Sequence, residues 1–344
     1  MTYAEHASTI IKGALPADLI AHLAAHARDA DLLVEETDTR LVVTAALAQV
    51  RLERTASSLR VNVDAQEAVA LQSIRDYLLH MLDHAAPGVG RDAEWQGDIA
   101  RDRPPLNFCT ATLQDVRRVA PNFLRVELAC ADTGRLAGGK GMHFSLLLPP
   151  QGRAPVWPRL DGNGRTVMPR DADALHRAAY TFVDLDPVRG RFTFDIFEHQ
   201  GGRVMDWART AQPGSVVGIT GPGSGDFPTG QTVLMAGDET ALPAIRRILE
   251  QSPAARRGTV LLEVGSQADV CDMTRPKGVE LTWINRDRGE TLWDRLDHIA
   301  PPEGPDRFVW VAAEKELIRK AKARFCGTLG IGRHESYFAY YWER

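Results

Sequence analysis

The run TVLMAGDETALPAIRRILE over residues 232–250 reads as a buried strand, a tight turn and an amphipathic helix in immediate succession. That succession commits the surrounding chain to an α/β layer. Val233, Leu234 and Met235 supply a short apolar strand, Gly237 permits the turn, and Leu242, Ile245, Ile248 and Leu249 recur at helical spacing on one face. Such a turn opens a helix N-terminus, where free backbone N–H groups and the positive end of the helix dipole suit a pyrophosphate. Gly237, Asp238 and Thr240 are therefore candidate nucleotide contacts, with the Thr240 hydroxyl as an added donor. Pro243 fits the first helical turn, where no N–H is needed. An ordinary βα unit of any α/β protein satisfies the same run equally.

Further strand-like runs at 259–264, 279–284 and 308–312 alternate with helical patterns, the last starting near Lys315, which calls for a parallel sheet over 231–344. Ligands in such sheets bind at the carboxyl ends of the strands. Upstream, over 106–222, six short strand-like runs at 111–119, 123–129, 143–148, 177–184, 191–198 and 216–220, with one short helix near 205–209, predict a closed antiparallel barrel, because closure removes exposed edges. The Pro-, Gly- and Arg-rich stretch 149–169 reads as a long loop. Residues 1–100 read as a separate small α+β module: an Ala/Leu-rich helix after Pro16 and Asp18, strands near 32–35, 40–44, 50–53 and 59–63, and a second helix capped by Asp64 with Glu67 three residues on. A linker is expected over 85–105. The fold class is thus multidomain: a small α+β module, an antiparallel β-barrel and an α/β parallel-sheet domain.

At 344 residues the chain is long enough for two or three cores. A formal charge of -4 gives no global attraction to nucleic acid or an anionic membrane. Cys109, Cys130, Cys271 and Cys326 are scattered without a CxxC spacing, which argues against a metal cluster or a disulfide framework. The histidine pairs His22/His26 and His80/His84 have the i, i+4 spacing of a metal-binding helix face but lack an accompanying HExxH glutamate; solvated helix faces are the favoured reading, and no metal is assigned. With no apolar run near the ~20 residues of a membrane span and no signal-like N-terminus, a cytoplasmic protein is expected.

In HRAAYTFVDLD, Arg177, Tyr180 and Thr181 match the R-x-x-Y-T arrangement with which ferredoxin-reductase-like flavoproteins hold their flavin. The tyrosine ring can lie against the isoalloxazine, the threonine can reach a ring heteroatom, and the arginine can meet a phosphate. A strand with a core tyrosine is the plainer alternative. Taken with GMHFSLLLP at Gly141, FDIFEHQGGRVMDWA at Phe194, GITGPGSG at Gly218, GDETALPAI at Gly237, WVAAEKELIR at Trp310 and the aromatic end YFAYYWER, residues 106–344 resemble the siderophore-interacting protein family of FAD-dependent ferric-siderophore reductases. The first module, over about residues 8–84, resembles a small domain of unknown function sometimes fused to them.

The resemblance implies FAD as cofactor, contacted by His143, Arg177, Tyr180, Thr181, Gly202 and Trp207, with Tyr180 and Thr181 at the chemistry and Gly237, Asp238 and Thr240 at the nucleotide. It implies NADH or NADPH as donor, or a ferredoxin, and a ferric siderophore as substrate near the basic residues Lys315, Arg319 and Arg307; Arg153, Arg159 and Arg165 of the long loop are weaker candidates. Arg275 and Lys277 are where a 2′-phosphate pocket for NADPH is expected. Val183 stands where many members carry an arginine, and Met205 where others carry a serine. A general NAD(P)H:flavin or diaphorase-type oxidoreductase and a redox-inactive siderophore-binding carrier are the competing expectations.

Overall fold

The structure, a computed structural model, describes residues 2–343 except 14, 30–31, 91–92, 140, 200, 224 and 226. The chain divides into two compact units, Met1–Phe108 with Pro149–Leu175, and Cys109–Leu148 with His176–Arg344.

In the first unit, β1 (Glu5–Lys12), α1 (Leu19–Asp29), β2 (Leu33–Glu36), β3 (Arg40–Thr44), β4 (Ala48–Arg54), β5 (Ser58–Ala65), α2 (Ala68–Ala85) and β6 (Gln96–Gly97) build an antiparallel sheet of order β2-β3-β4-β5-β1-β6. Period-two alternation turns Leu59, Val61 and Val63 of β5 and Val50 and Leu52 of β4 inward, onto Leu19, Ile20 and Leu23 of α1 and Leu71, Leu78 and Leu82 of α2. Asp64 does not cap α2; it lies in β5, 2.5 Å from both His6 and Arg51, and Glu67 takes the cap position without a side-chain bond. The stretch 85–105 is more than a linker. Its Trp95 is buried under the Arg75 guanidinium at 4.6 Å, and β6 pairs with β1. Arg91 and Asp92 lie outside the described residues.

The second unit begins with the barrel: β7 (Phe108–Ala120), β8 (Phe123–Ala129), α3 (Thr133–Gly138) and β9 (His143–Leu148). The chain then leaves for the first unit, where β10 (Arg159–Leu160) and β11 (Thr166–Val167) form a hairpin on α2. Asp76 accepts from the Thr166 hydroxyl at 2.6 Å, Asp83 from Arg165 at 2.6 Å, and the Asn163 carbonyl from Arg75 at 3.1 Å. On return, β12 (His176–Thr181), β13 (Asp184–Asp186), β14 (Arg191–Phe197), α4 (Arg203–Thr210) and β15 (Val216–Gly223) complete a sheet of order β12-β9-β15-β7-β8-β14-β13. Its two outer strands are one bent segment. Residues 176–181 pair with β9, and 184–186 pair with β14, so the barrel closes through the bend at Phe182 and Val183. Phe144, Phe182, Phe192 and Phe194 fill it, with ring centroids 4.5 to 5.4 Å apart.

The α/β half follows as β16 (Thr232–Gly237), α5 (Leu242–Glu250), β17 (Arg257–Val264), β18 (Gly278–Asn285), α6 (Leu292–Leu296), β19 (Arg307–Glu314), α7 (Lys315–Lys322) and β20 (Ser336–Trp342). All five strands run parallel in the order β18-β17-β16-β19-β20. Buried on both faces, β16 and β19 read as continuous apolar runs, and one core lies on each side of the sheet. No helix among the described residues is long and apolar enough to cross a membrane.

Candidate active site

Antiparallel pairing of β9 with β12 sets Tyr180 opposite Phe144 and Thr181 opposite His143. The Tyr180 ring packs on Phe194 at 4.8 Å, and burial pushes its phenol well above the ordinary range. Thr181 Oγ1 lies 3.1 Å from His143 Nδ1, and the other ring nitrogen, Nε2, lies 2.9 Å from the Tyr341 hydroxyl on β20. Burial, helped by the charge of Arg247, lowers the His143 pKa to about 4. The imidazole is thus neutral at pH 7, with one nitrogen donating and the other accepting. The glycine run after β15 makes room for it. Gly225 has φ +77, and a Cβ there would come 2.3 Å from His143 Nε2. Ser224 of the same run lies outside the described residues.

The facing wall is the carboxyl end of the parallel sheet. Gly237 serves packing rather than a left-handed turn: a Cβ would sit 2.5 Å from the Ala241 Cβ and 3.0 Å from the Ala312 carbonyl oxygen. The amide and hydroxyl donors expected of Thr240 are both engaged by the Asp238 carboxylate, at 2.9 and 2.5 Å, and the Trp342 indole donates to the same carboxylate at 2.8 Å. A pyrophosphate therefore finds this turn already capped, with an anion in place. Burial raises the pKa of Asp238 and of Glu239, opposed at Asp238 by the bonds from Thr240 and Trp342 and at Glu239 by Arg286.

Between the walls lies a cleft of about 340 Å³, lined by Tyr180, Thr181 and His143 from the barrel and by Thr240, Tyr340, Tyr341 and Trp342 from the sheet. Aromatic faces with a few convergent hydrogen-bonding groups suit a planar heteroaromatic ring such as an isoalloxazine. Arg177 lies four residues before Thr181 on the same strand, exposed, its Nε donating to Ser145 Oγ at 2.9 Å. Gly202 is the residue before α4, whose first amides have no side-chain cap, and Trp207 packs half-buried on the barrel core. Neither Arg177, Gly202 nor Trp207 lines the cleft; an uncapped helix end and an exposed arginine are nevertheless the donor types a diphosphate needs. Val183 and Met205 are core residues, which explains why an apolar side chain is tolerated at both.

The basic candidates separate. Lys315 opens α7 beside the cleft, its Nζ 5.9 Å from the Tyr340 ring and 2.8 Å from Glu343. Arg319 is exposed and pairs with Glu316 at 2.6 Å. Arg307 falls at the wrong end of the sheet. It is in register with Thr232, the first residue of β16, about 16 Å along the strand from the level of Gly237, and it is held by Glu335 at 3.1 Å. Arg275 and Lys277 likewise precede β18 at the amino end, and Arg275 donates to the Met273 and Val279 carbonyls. Arg153, Arg159 and Arg165 belong to the first unit. The rings of His22/His26 and of His80/His84 stack edge-on at 4.7 and 4.4 Å, and no group of three or more His, Cys, Asp and Glu gathers among the described residues.

Several cleft residues escaped the sequence reading: Asp195, Phe197, Glu239 and the whole of β20. The aromatic end YFAYYWER carried the signal, since Tyr, Phe and Trp favour strands.

Residues 230–344 match the family described as Siderophore-interacting protein, and residues 112–226 match the Siderophore-interacting FAD-binding domain. Over 234 residues the chain is 28% identical to the ferric vibriobactin reductase ViuB of Vibrio cholerae, covering 66% of this chain and 86% of ViuB. It is 29% identical over 231 residues to the NADPH-dependent ferric-chelate reductase of Escherichia coli, covering 65% of this chain and 89% of that protein. Among solved structures, a siderophore utilization protein from T. fusca superposes with a TM-score of 0.61 at 28% identity, covering 71% of this chain and 96% of that one. Through the two patterns that lie end to end over residues 112–344, the chain belongs to the siderophore-interacting protein family.

Proposed function

We propose that this chain is an FAD-dependent reductase of ferric siderophores, taking electrons from NAD(P)H and releasing Fe(II) for iron assimilation in the cytoplasm. The observation that carries this is the single cleft in which Tyr180 and Thr181 of the barrel face Thr240, Tyr341 and Trp342 of the parallel sheet. In the same reading residues 106–222 form the FAD-binding domain, 231–344 the nucleotide- and siderophore-facing domain, and 1–100 an appended module.

FAD held in the cleft would supply acceptance of one hydride, two electrons, from a nicotinamide and their onward passage one at a time, as Fe(III) requires. Tyr180 supplies the apolar face for the ring, and Thr181, oriented by neutral His143, offers a hydroxyl at the ring's edge. Arg177 and the first amides of α4 after Gly202 are assigned to the diphosphate, and Trp207 holds α4 on the barrel. Tyr341 and Trp342 close the cleft from the sheet side and exclude water. Lys315 at the rim attracts an anionic chelate. Hard oxygen ligands hold Fe(III) far better than Fe(II), so reduction loosens the metal without a protein ligand.

The test is an absorption spectrum of the purified protein loaded with FAD, titrated in turn with NADH, NADPH and reduced ferredoxin, then with a panel of ferric chelates and free flavins. Flavin bands bleached by a nicotinamide and restored by ferric siderophores are expected. A colourless protein would sink the proposal, bleaching by ferredoxin alone would replace the donor, and equal turnover of every acceptor would leave a general diaphorase.

A further inference from the structure

We propose that the ion-paired triad Glu239–Arg286–Glu263 makes NADH, rather than NADPH, the donor of this protein. The inference rests on the reading above, that NAD(P)H is the donor, and takes the carboxyl end of the parallel sheet as its site by the general rule for such sheets, the capped Thr240 turn leaving the pyrophosphate to other donors. In sheets of order 3-2-1-4-5, the order of β18-β17-β16-β19-β20, the adenosine ribose is read by a side chain at the carboxyl end of the second strand. An acid there accepts from the 2′-hydroxyl of NADH, whereas an arginine there meets the 2′-phosphate of NADPH.

Glu263 is the residue before the last of β17. Its Oε1 accepts from Arg286 Nη1 at 2.6 Å and its Oε2 from the Leu292 amide at 2.5 Å. Arg286 sits just past β18 and lies where it could have served a 2′-phosphate. Its fork is closed instead on Glu239, with Nη1 3.0 Å from Oε2 and Nη2 in closer contact with Oε1, which also takes the Gly265 amide at 2.7 Å. Glu239 is 3% exposed. Turning Arg286 toward a phosphate would leave that carboxylate buried and unpaired, which costs more than one exposed phosphate contact returns. Two carboxylates against one guanidinium also leave the triad with a net negative charge, facing a phosphate of nearly two negative charges.

The loop beyond β17 offers no rescue. Residues 265–274 contain no Lys or Arg but do contain Asp269 and Asp272, and Arg275, the next cation in sequence, is at the other end of the sheet. Arg288, exposed two residues after Arg286, is the cation still available to a phosphate, so the test includes it. The preference would set this chain apart from its Escherichia coli relative, which is named NADPH-dependent.

The experiment uses the FAD-loaded full chain. Calorimetry compares binding of 5′-AMP with that of 2′,5′-ADP, which differ only in the 2′-phosphate, and flavin bleaching compares NADH with NADPH. 5′-AMP and NADH should each be favoured by about tenfold or more, given like-charge repulsion of the 2′-phosphate. Glu263→Gln should narrow both ratios by weakening one of the three bonds that hold Arg286, while Arg288→Gln should leave them in favour of NADH. Equal or better handling of NADPH and 2′,5′-ADP by the wild type overturns the inference even if Glu263→Gln fails to fold. Flavin bleached by NADPH alone sinks this inference but spares the reductase reading; flavin bleached by neither nucleotide sinks the dinucleotide reading with it.

Discussion

The two walls of the cleft bury polar groups by opposite means. On the barrel wall Thr181 and His143 form a chain of neutral groups that ends on the Tyr341 hydroxyl of the facing sheet, and the imidazole gives up its charge to stay inside. On the sheet wall Asp238 and Glu239 are held by several donors each, three neutral ones at Asp238 and a guanidinium with the Gly265 amide at Glu239. One wall avoids charge and the other saturates it, so the walls should fail differently when perturbed. Removing a partner from the saturated wall is the larger insult. Glu239→Ala strips Arg286 of its bidentate partner and orphans the Gly265 amide, while Arg286, 40% exposed, keeps Glu263; it should lower stability by about 1 to 3 kcal/mol in urea unfolding. Thr181→Val, on the neutral wall, should cost only about 1 kcal/mol. Equal losses would erase the distinction.

Acid should attack the neutral wall. The pKa of His143 is lower folded, about 4, than in the unfolded chain, where it is near the ordinary 6.5. Between those values the unfolded chain binds more protons, so stability is present in full above pH 6.5 and is lost as pH falls toward 4, by up to about 3 kcal/mol. Unfolding curves of the wild type and of His143→Asn across this window should differ in slope. Parallel curves would mean that His143 accepts its proton without penalty.

Legibility in the sequence follows the same division. Strands buried on both faces, such as VLMAG of β16, and the amphipathic α5 were readable because their patterns are local. β1 was not, since Ala7, Thr9 and Ile11 make a faint inward face. Nor was β20, whose aromatic run has strand propensity but whose place is set by a non-local parallel pairing with β19. On the barrel wall Tyr180 and Thr181 could be named from the local R-x-x-Y-T run and His143 from the family resemblance, and the pairing of β9 with β12 is what brings the three together. The sheet wall resisted. Whether an arginine serves a ligand depends on which end of a strand it occupies and which carboxylate faces it, and sequence order reveals neither for Arg307, Arg275 or Arg286.

The barrel wall should also bear the flavin's weight. Tyr180→Ala removes the ring that the cleft offers to a planar ligand, and FAD should be lost more readily by about 0.5 to 1.5 kcal/mol beyond the change in buried area. Equilibrium dialysis of FAD against wild type and variant measures this. Equal occupancy would move the flavin off β12.

The smallest effect belongs to the rim, where neither wall's rule applies. Lys315 is solvated and already paired with Glu343, so its attraction for a chelate is a screened, long-range one. Lys315→Ala should raise the apparent KM for anionic ferric chelates modestly at low salt and flatten its dependence on ionic strength, while kcat, flavin content and the KM for an uncharged chelate stay as they were. If KM instead rises equally for charged and uncharged chelates, Lys315 acts through the Tyr340 ring beneath it, and the rim belongs to the sheet wall after all.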